Sequence, residues 1–332
     1  MSEGRARPRI LLIGKTGQVG RELAVLLGRI GELTSLDRRQ LDLGNPDEIR
    51  RVIRGAVPDL MVNAAAYTAV DRAESDERAA EAINGVAPGI LAEEAKQLGA
   101  LLVHYSTDYV FDGTKHHPYR EDDPPNPINA YGRTKLEGER AIQQVGPAYL
   151  IFRTAWVYAR GGRNFLLTIL RLAAEKDELR IVRDQTGAPT WSHEIASATA
   201  KVLSQICSTA NGASPWTGAK GIYHMTAAGE TTWYDFAERI LELAVSQFPG
   251  EEWFRTATNN RPLIAQKIVP IATAEFPTPA RRPAYSVLAN RKLNDTFGVS
   301  LPHWEMQLRS VFSQGARDTR ALSTNEEHRP GK

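Results

Sequence analysis

Ile10-Leu11-Leu12-Ile13-Gly14-Lys15-Thr16-Gly17-Gln18-Val19-Gly20 decides the fold of this chain. Arg9 to Ile13 is an apolar run of strand length, it stops at glycines spaced Gly-x-x-Gly-x-x-Gly, and Leu23, Leu26, Leu27 and Ile30 follow at helical spacing. The reading is strand, glycine turn, helix. In such a unit Gly14 and Gly17 let the backbone approach a pyrophosphate. The anion then rests on the helix N-terminus, where unpaired N–H groups and the helix dipole favour negative charge. Turns collect glycine for many reasons, so the motif alone is weak. Its place directly after the first strand adds weight.

The same unit predicts an acidic residue about 20 positions further on, at the end of the second strand, to bind the adenosine ribose hydroxyls. Leu33-Thr34-Ser35-Leu36-Asp37 supplies it. Arg38 and Arg39 follow and can pair with a 2′-phosphate instead. Both NADH and NADPH are admitted. Asp59 to Ala66 reads as a third buried strand ending in small residues, against which a cofactor can lie, although close helix packing accounts for the alanines equally well. Tyr67, Thr68 and Val70 come just beyond it. Glu74 to Leu98, rich in Ala, Glu and Leu, reads as helix with a scaffold role. Ala100 to Tyr105 is a fourth strand, delivering Ser106-Thr107-Asp108-Tyr109 to the carboxyl edge of the sheet, where ligands of open parallel sheets bind. A hydroxyl there can orient a substrate carbonyl.

An irregular loop rich in Pro, Asp, His and Gly, residues 112–129, precedes Tyr131-Gly132-Arg133-Thr134-Lys135. Residues four apart on a helix share a face, so the Lys135 ammonium can sit beneath the Tyr131 phenol. A nearby cation favours the ionised phenol and moves its pKa toward the working range, and a phenol so placed can give a proton to a carbonyl oxygen. Tyr149 to Tyr158 is a fifth strand, after which the alternation becomes irregular. Helices are predicted from Asn164 to about Glu175, from Ser192 to about Ile206 and from Thr231, with a short strand at Ile222 to Met225. Pro270 to Pro283 reads as extended, its Arg281-Arg282 either facing a diphosphate or forming a solvated pair.

The fold class expected is α/β: a Rossmann-like, doubly wound parallel sheet with a smaller C-terminal α/β substrate-binding lobe. Its parts are an arm at 1–8, an NAD(P)-binding domain at 9–157 to which about 180–225 returns, a mainly substrate-binding lobe at 158–314 and a disordered tail at 315–332. At 332 residues, two lobes are affordable. A net charge of +2 gives no field favouring nucleic acid, and no apolar run is long enough to cross a bilayer. Residues 1–8 lack the apolar stretch of a signal peptide. The single Cys207 forms no intrachain disulfide and excludes paired-cysteine metal sites, which fits a reducing cytoplasm. His116-His117, on a polar loop without partners at ligand spacing, is read as solvated.

Thr107, Tyr131 and Lys135, behind a glycine turn and four strands, resemble the catalytic triad of extended short-chain dehydrogenases/reductases. Seven ordered blocks narrow the likeness: 14–20, 63–71, 104–111, 152–158, Asp184-Gln185-Thr186-Gly187-Ala188-Pro189-Thr190, 231–235 and 277–283. Together they resemble the dTDP-4-dehydrorhamnose reductases over residues 9 to about 312. The resemblance implies reduction of the C4 ketone of a dTDP-4-dehydro sugar, a small-molecule nucleotide-sugar substrate, with NADPH or NADH. It implies Tyr131 as proton donor, Thr107 and Asp108 as substrate residues, Trp156 beside the nucleotide sugar, and Lys135 on the nicotinamide ribose, lowering the Tyr131 pKa. Gly17, Gln18, Val19, Asp37, Asp42, Leu43, Ala66, Tyr67 and Thr68 match cofactor-contacting positions, the family commonly having His or another residue where Tyr67 stands. Some members are magnesium-dependent dimers, so Mg2+ and a homodimer are admitted by resemblance. No matching carboxylates can be placed around His193-Glu194 and Gln314, and no metal site is assigned. Two rivals share the fold: another extended reductase, dehydratase or epimerase of nucleotide sugars, and a non-catalytic subunit resembling the regulatory subunit of methionine adenosyltransferase. Dehydratases usually follow the threonine with Asp-Glu, where this chain has Asp108-Tyr109, and Trp156 favours a sugar nucleotide.

Overall fold

Short β-branched and leucine-rich runs pair in register to build the centre of the molecule. β1 (Arg9–Ile13) lies between β2 (Glu32–Leu36) and β3 (Leu60–Asn63), and β4 (Leu101–Thr107), β5 (Ala148–Thr154) and the strand Gly221–His224 extend the sheet beyond β3, all parallel. The computed structural model describes residues 7–209, 220–246 and 250–313. The arm at 1–6, most of the predicted 211–220 loop, Gln314 and the tail lie outside these.

Successive strand residues point to opposite faces, so each strand feeds two cores. Ile10, Leu12, Leu60, Val62, Val103 and Phe152 pack with Leu23 and Leu27 of helix Gln18–Leu27 and with Ile195, Val202 and Leu203 of helix Ser192–Thr209. Leu11, Ile13, Met61, Leu102 and Ile151 pack instead with Ile49 and Ile53 of helix Pro46–Ala56, Leu91 and Ala95 of helix Ala87–Leu98, and Ile142 of helix Ala130–Val145. Each fully buried side chain of this kind contributes about 1.5–3 kcal/mol relative to exposure. The result is a doubly wound sheet whose chain order reverses between β1 and β3. In open α/β sheets the ligand crevice lies at that point, outside the carboxyl ends of the strands.

A second lobe has its own core. Leu166, Ile169 and Leu170 (helix Phe165–Ala173), Phe236, Ile240 and Leu243 (helix Trp233–Ser246), Phe254, and Leu308, Val311 and Phe312 (helix Trp304–Ser313) pack together. Strands Glu178–Val182 and Lys267–Ile271 pair parallel beside them. Helix Ser192–Thr209, strand Gly221–His224 and helix Arg291–Phe297 pack back on the six-stranded sheet.

Three expectations are corrected. The 74–98 stretch is not one helix: it starts at Glu77, passes through a π-helical turn at Ala82–Val86 and resumes at Ala87–Leu98. The fifth strand ends at Thr154 and resumes only as Val157–Tyr158, because Trp156 between them adopts φ 47°, outside strand geometry. The 270–283 segment is interrupted by a 3-10 turn at Thr273–Glu275.

Candidate active site

The carboxyl ends of β1 to β5 converge on one cleft of about 530 Å³. Gly14 ends β1 at φ 90°, and a Cβ there would come within 2.7 Å of the Ala65 backbone nitrogen, so this position takes glycine on both counts. Its N–H and that of Lys15 reach the Leu36 carbonyl at 2.9 and 3.1 Å, fixing the turn against β2. Helix Gln18–Leu27 then starts at Gly17 with no side-chain cap, and Gly17, Gln18 and Val19 line the cleft. The first N–H groups of a helix have no partner inside it, which leaves an anion cradle at the crevice.

The cleft gathers Gly14, Gly17, Gln18, Val19, Asp37, Arg38, Asp42, Leu43, Ala66, Tyr67, Thr68, Tyr131 and Lys135. Asp37 closes one end, its Oδ2 3.6 Å from Lys15 Nζ, while Arg38 stays exposed beside Asp42. Ala64, Ala65 and Ala66 form a smooth wall. This concave shape, glycine cradle and acidic end fit a dinucleotide.

Tyr131 is placed by its helix start. Asn129 caps the helix by accepting from Gly132 N at 2.8 Å and donates to the Arg281 carbonyl at 2.8 Å, and Glu74 accepts from Ala130 N at 2.7 Å. A Cβ on Gly132 would lie 2.1 Å from the Tyr109 carbonyl, so glycine lets the helix close on the turn that follows Thr107. The Tyr131 ring consequently meets Tyr109 edge-on at 5.8 Å. Thr107 donates to Asp108 Oδ1 at 2.9 Å and accepts from Tyr109 N at 3.1 Å. Burial pushes the Tyr131 phenol up to about 12, with the Thr107 hydroxyl acting against burial and the Asp108 charge with it. Burial likewise raises Asp108 to about 6, the hydroxyls of Ser286 and Thr107 pulling it partly back.

The expected ammonium beneath the phenol is corrected. Lys135 Nζ donates to the Tyr105 carbonyl at 2.6 Å and lies 3.0 Å from His104 Nε2, and the groups that move the Tyr131 pKa do not include it. Helical spacing put both residues on the cleft, but β4 supplies the polar atoms that hold the amine. Burial brings Lys135 down to about 8, with Glu139 opposing.

Thr107, Asp108 and Trp156 do not line this cleft; Ser106 and Thr154, beside them in sequence, do. Trp156 stacks on Trp233 with centroids 3.4 Å apart and planes 4° from parallel. Arg282 is not a solvated side chain: it grips Asp71 through two hydrogen bonds of 3.0 and 2.8 Å and donates to Thr278 and to the Ala280 carbonyl. Arg281 is exposed.

Several residues escaped the sequence reading. Asn84, in the π-helical turn, accepts from Tyr67 N at 2.8 Å and donates to Tyr67 O and Thr134 Oγ1 at 3.0 and 3.2 Å, while Ile83 lines the cleft, so this segment is more than scaffold. Asn63 and His104 sit under the floor. Both are polar breaks at the ends of otherwise apolar strand runs, the signal that could have found them. Among the described residues no three His, Cys, Asp or Glu side chains gather as a group that could hold a metal ion.

The "RmlD substrate binding domain" family model matches residues 8–317. A dTDP-4-dehydrorhamnose reductase of Burkholderia thailandensis is 50% identical over 310 residues, covering 92% of this chain and all of that protein. One from Escherichia coli K12 is 41% identical, covering 92% and 97%. Among solved structures, dTDP-4-dehydrorhamnose reductase from Bacillus anthracis in complex with NADP superposes with a TM-score of 0.80 at 31% identity, covering 93% of this chain and 99% of that one.

Proposed function

The chain belongs to the RmlD substrate binding domain family of dTDP-4-dehydrorhamnose reductases, and on that premise we propose that its cleft reduces the C4 ketone of dTDP-4-dehydro-L-rhamnose to dTDP-L-rhamnose with NADPH or NADH. The observation that carries the reading is the convergence of the glycine cradle, Asp37, Tyr131 and Lys135 on one cleft at the sheet's switch point.

A bound nicotinamide cofactor supplies hydride; the protein supplies the rest. Gly14, Gly17, Gln18 and Val19 hold the pyrophosphate, Asp37 or Arg38 holds the adenosine ribose end, with Asp42 and Leu43 beside them, and Ala66, Tyr67 and Thr68 flank the other half. Tyr131 gives its proton to the ketone oxygen as negative charge develops there. A phenol near 12 is protonated at neutral pH, the form a donor needs. Thr107 adds a second donor, and loss of one such donor typically costs about 10²–10³ in rate. Lys135, in its cationic form, would donate to the nicotinamide ribose. Thr107, Asp108 and Trp156 position the sugar nucleotide, the larger lobe carrying the cofactor and the smaller one the substrate.

No helix among the described residues is long and apolar enough to cross a membrane. We place the reaction in the cytoplasm, with a homodimer as the assembly that sedimentation would test. The functional test is direct. Purified protein given dTDP-4-dehydrorhamnose is expected to consume NADPH or NADH and yield dTDP-rhamnose. Cofactor binding without turnover would refute the reading in favour of a binding subunit.

A further inference from the structure

Under the cleft floor, three polar side chains stand in line: Asn63 at the end of β3, His104 on β4 and Lys135 on helix Ala130–Val145. Each is 1% exposed, and Asn63 and His104 are register partners in the sheet. Asn63 Nδ2 lies 3.1 Å from His104 Nδ1, and His104 Nε2 lies 3.0 Å from Lys135 Nζ. Buried polar groups need complementary partners, so the hydrogens along this line can be counted.

Asn63 Oδ1 accepts from Ala65 N at 3.1 Å. The carboxamide has one oxygen, so its NH2 end faces the imidazole and Nδ1 must be the accepting nitrogen. A neutral imidazole carries one N–H and one lone pair, so Nε2 bears the hydrogen and points it at Nζ. An ammonium there would set N–H against N–H. An amine accepts from Nε2–H and still donates to the Tyr105 carbonyl at 2.6 Å, and every group is satisfied.

We propose that His104 is a positioning residue that sets the protonation of Lys135: held by Asn63 as the Nδ1-accepting tautomer, it presents Nε2–H to Nζ and favours the amine over the ammonium. The groups around Nζ agree with this. From β4 it meets His104 and the Tyr105 carbonyl; from its own helix, the charge of Glu139. Glu139, the one carboxylate among them, is held by Arg153 of β5 at 2.9 and 2.6 Å. Burial, and then the Lys135 charge, press His104 well below its ordinary value, which keeps the ring neutral.

The inference rests on Lys135 serving the reduction as proposed above, where its cationic form is the useful one. His104 then makes that form disappear at lower pH than burial alone would, and the alkaline limb of kcat/KM carries the signature. Two measurements test it. In long-range nitrogen–proton NMR spectra of the protein labelled at histidine, the His104 signals, assigned by their loss in His104→Gln, are expected to show unprotonated Nδ1 and protonated Nε2, unchanged between about pH 6 and 9. Protonated Nδ1, or an imidazolium in that range, would overturn the proposal. In turnover, His104→Gln offers Nζ a carbonyl acceptor, and its alkaline limb is expected to rise by about one pH unit, a tenfold gain in proton affinity. A merely structural role would lower the rate and leave the limb in place, which also overturns it. The NMR result is read on the wild type without turnover. A wild type that never reduces the sugar therefore defeats the reductase reading alone, and a working enzyme with the other tautomer defeats this inference alone.

Discussion

Gly187→Ala should selectively weaken binding of the nucleotide sugar. Gly187 lies on the short strand Thr186–Gly187, paired with Thr231–Thr232. A Cβ there would stand 2.3 Å from Trp156 Cε2 and 2.6 Å from Cζ2 and Nε1, separations that no folded protein sustains. Gly187 is paired with Thr231, and its neighbour Thr186 is held by Thr232 on one side and Tyr285 on the other, so the indole must move, and moving it breaks the 3.4 Å stack on Trp233. Losing an aromatic pair costs about 0.5–1.5 kcal/mol, and forced overpacking about 1–3 kcal/mol. If Trp156 holds the nucleotide sugar, a loss near 1.4 kcal/mol raises KM for that substrate about tenfold. Neither Gly187 nor Trp156 lines the cofactor cleft, so cofactor affinity should stay as in the parent. Steady-state kinetics with the sugar varied at saturating NADPH, beside a calorimetric cofactor titration, separate the two. A folded variant whose sugar KM stays within about twofold of the parent would refute the assignment of Trp156.

Two further substitutions probe the frame around the site. Asn84→Ala removes three hydrogen bonds and leaves the Tyr67 N–H without its partner, so it should cost about 1–3 kcal/mol in denaturant unfolding and weaken cofactor binding; unchanged midpoint and affinity would count against Asn84 as the brace of the Tyr67 wall. Asp108 is raised from 3.8 to about 6, so the folded state holds its proton more tightly than the unfolded one, and ionising it costs stability as pH rises between those values. Wild type should therefore match Asp108→Asn below about pH 4 and fall behind it by up to about 3 kcal/mol above about pH 6; parallel stability curves for the two proteins would contradict the buried, uncompensated carboxyl.

What could be read from the sequence was what local pattern dictates. The run Ile10 to Gly20 carries strand, turn and helix within eleven residues, and the strand ends at Asp37, Ala66 and Ser106 reach one edge because parallel strands share a direction. Residue spacing could also put Tyr131 and Lys135 on one helix face. It could not say what Nζ would touch, because His104 and the Tyr105 carbonyl come from a strand about 30 residues away. Arg282 offers the same lesson: a two-arginine pair in an extended segment looks solvated until Asp71, 211 positions earlier, is brought against it. Nothing in the sequence pairs Trp156 with Trp233, and only the folded chain stacks the two rings. The π-helical turn at Ala82–Val86 does carry a mark, the poor helix formers Asn84-Gly85, but such a pair suits an ordinary irregular turn as well and does not by itself specify a π-helical one.

The central claim is that Tyr131 delivers the proton to the C4 oxygen. Tyr131→Phe removes one hydroxyl and keeps the ring that packs on Tyr109. With dTDP-4-dehydrorhamnose and NADPH, the variant should bind cofactor as the parent does and turn over at least about 10²–10³ times more slowly. Turnover at the parent's rate, in a variant that binds cofactor normally, would contradict the account.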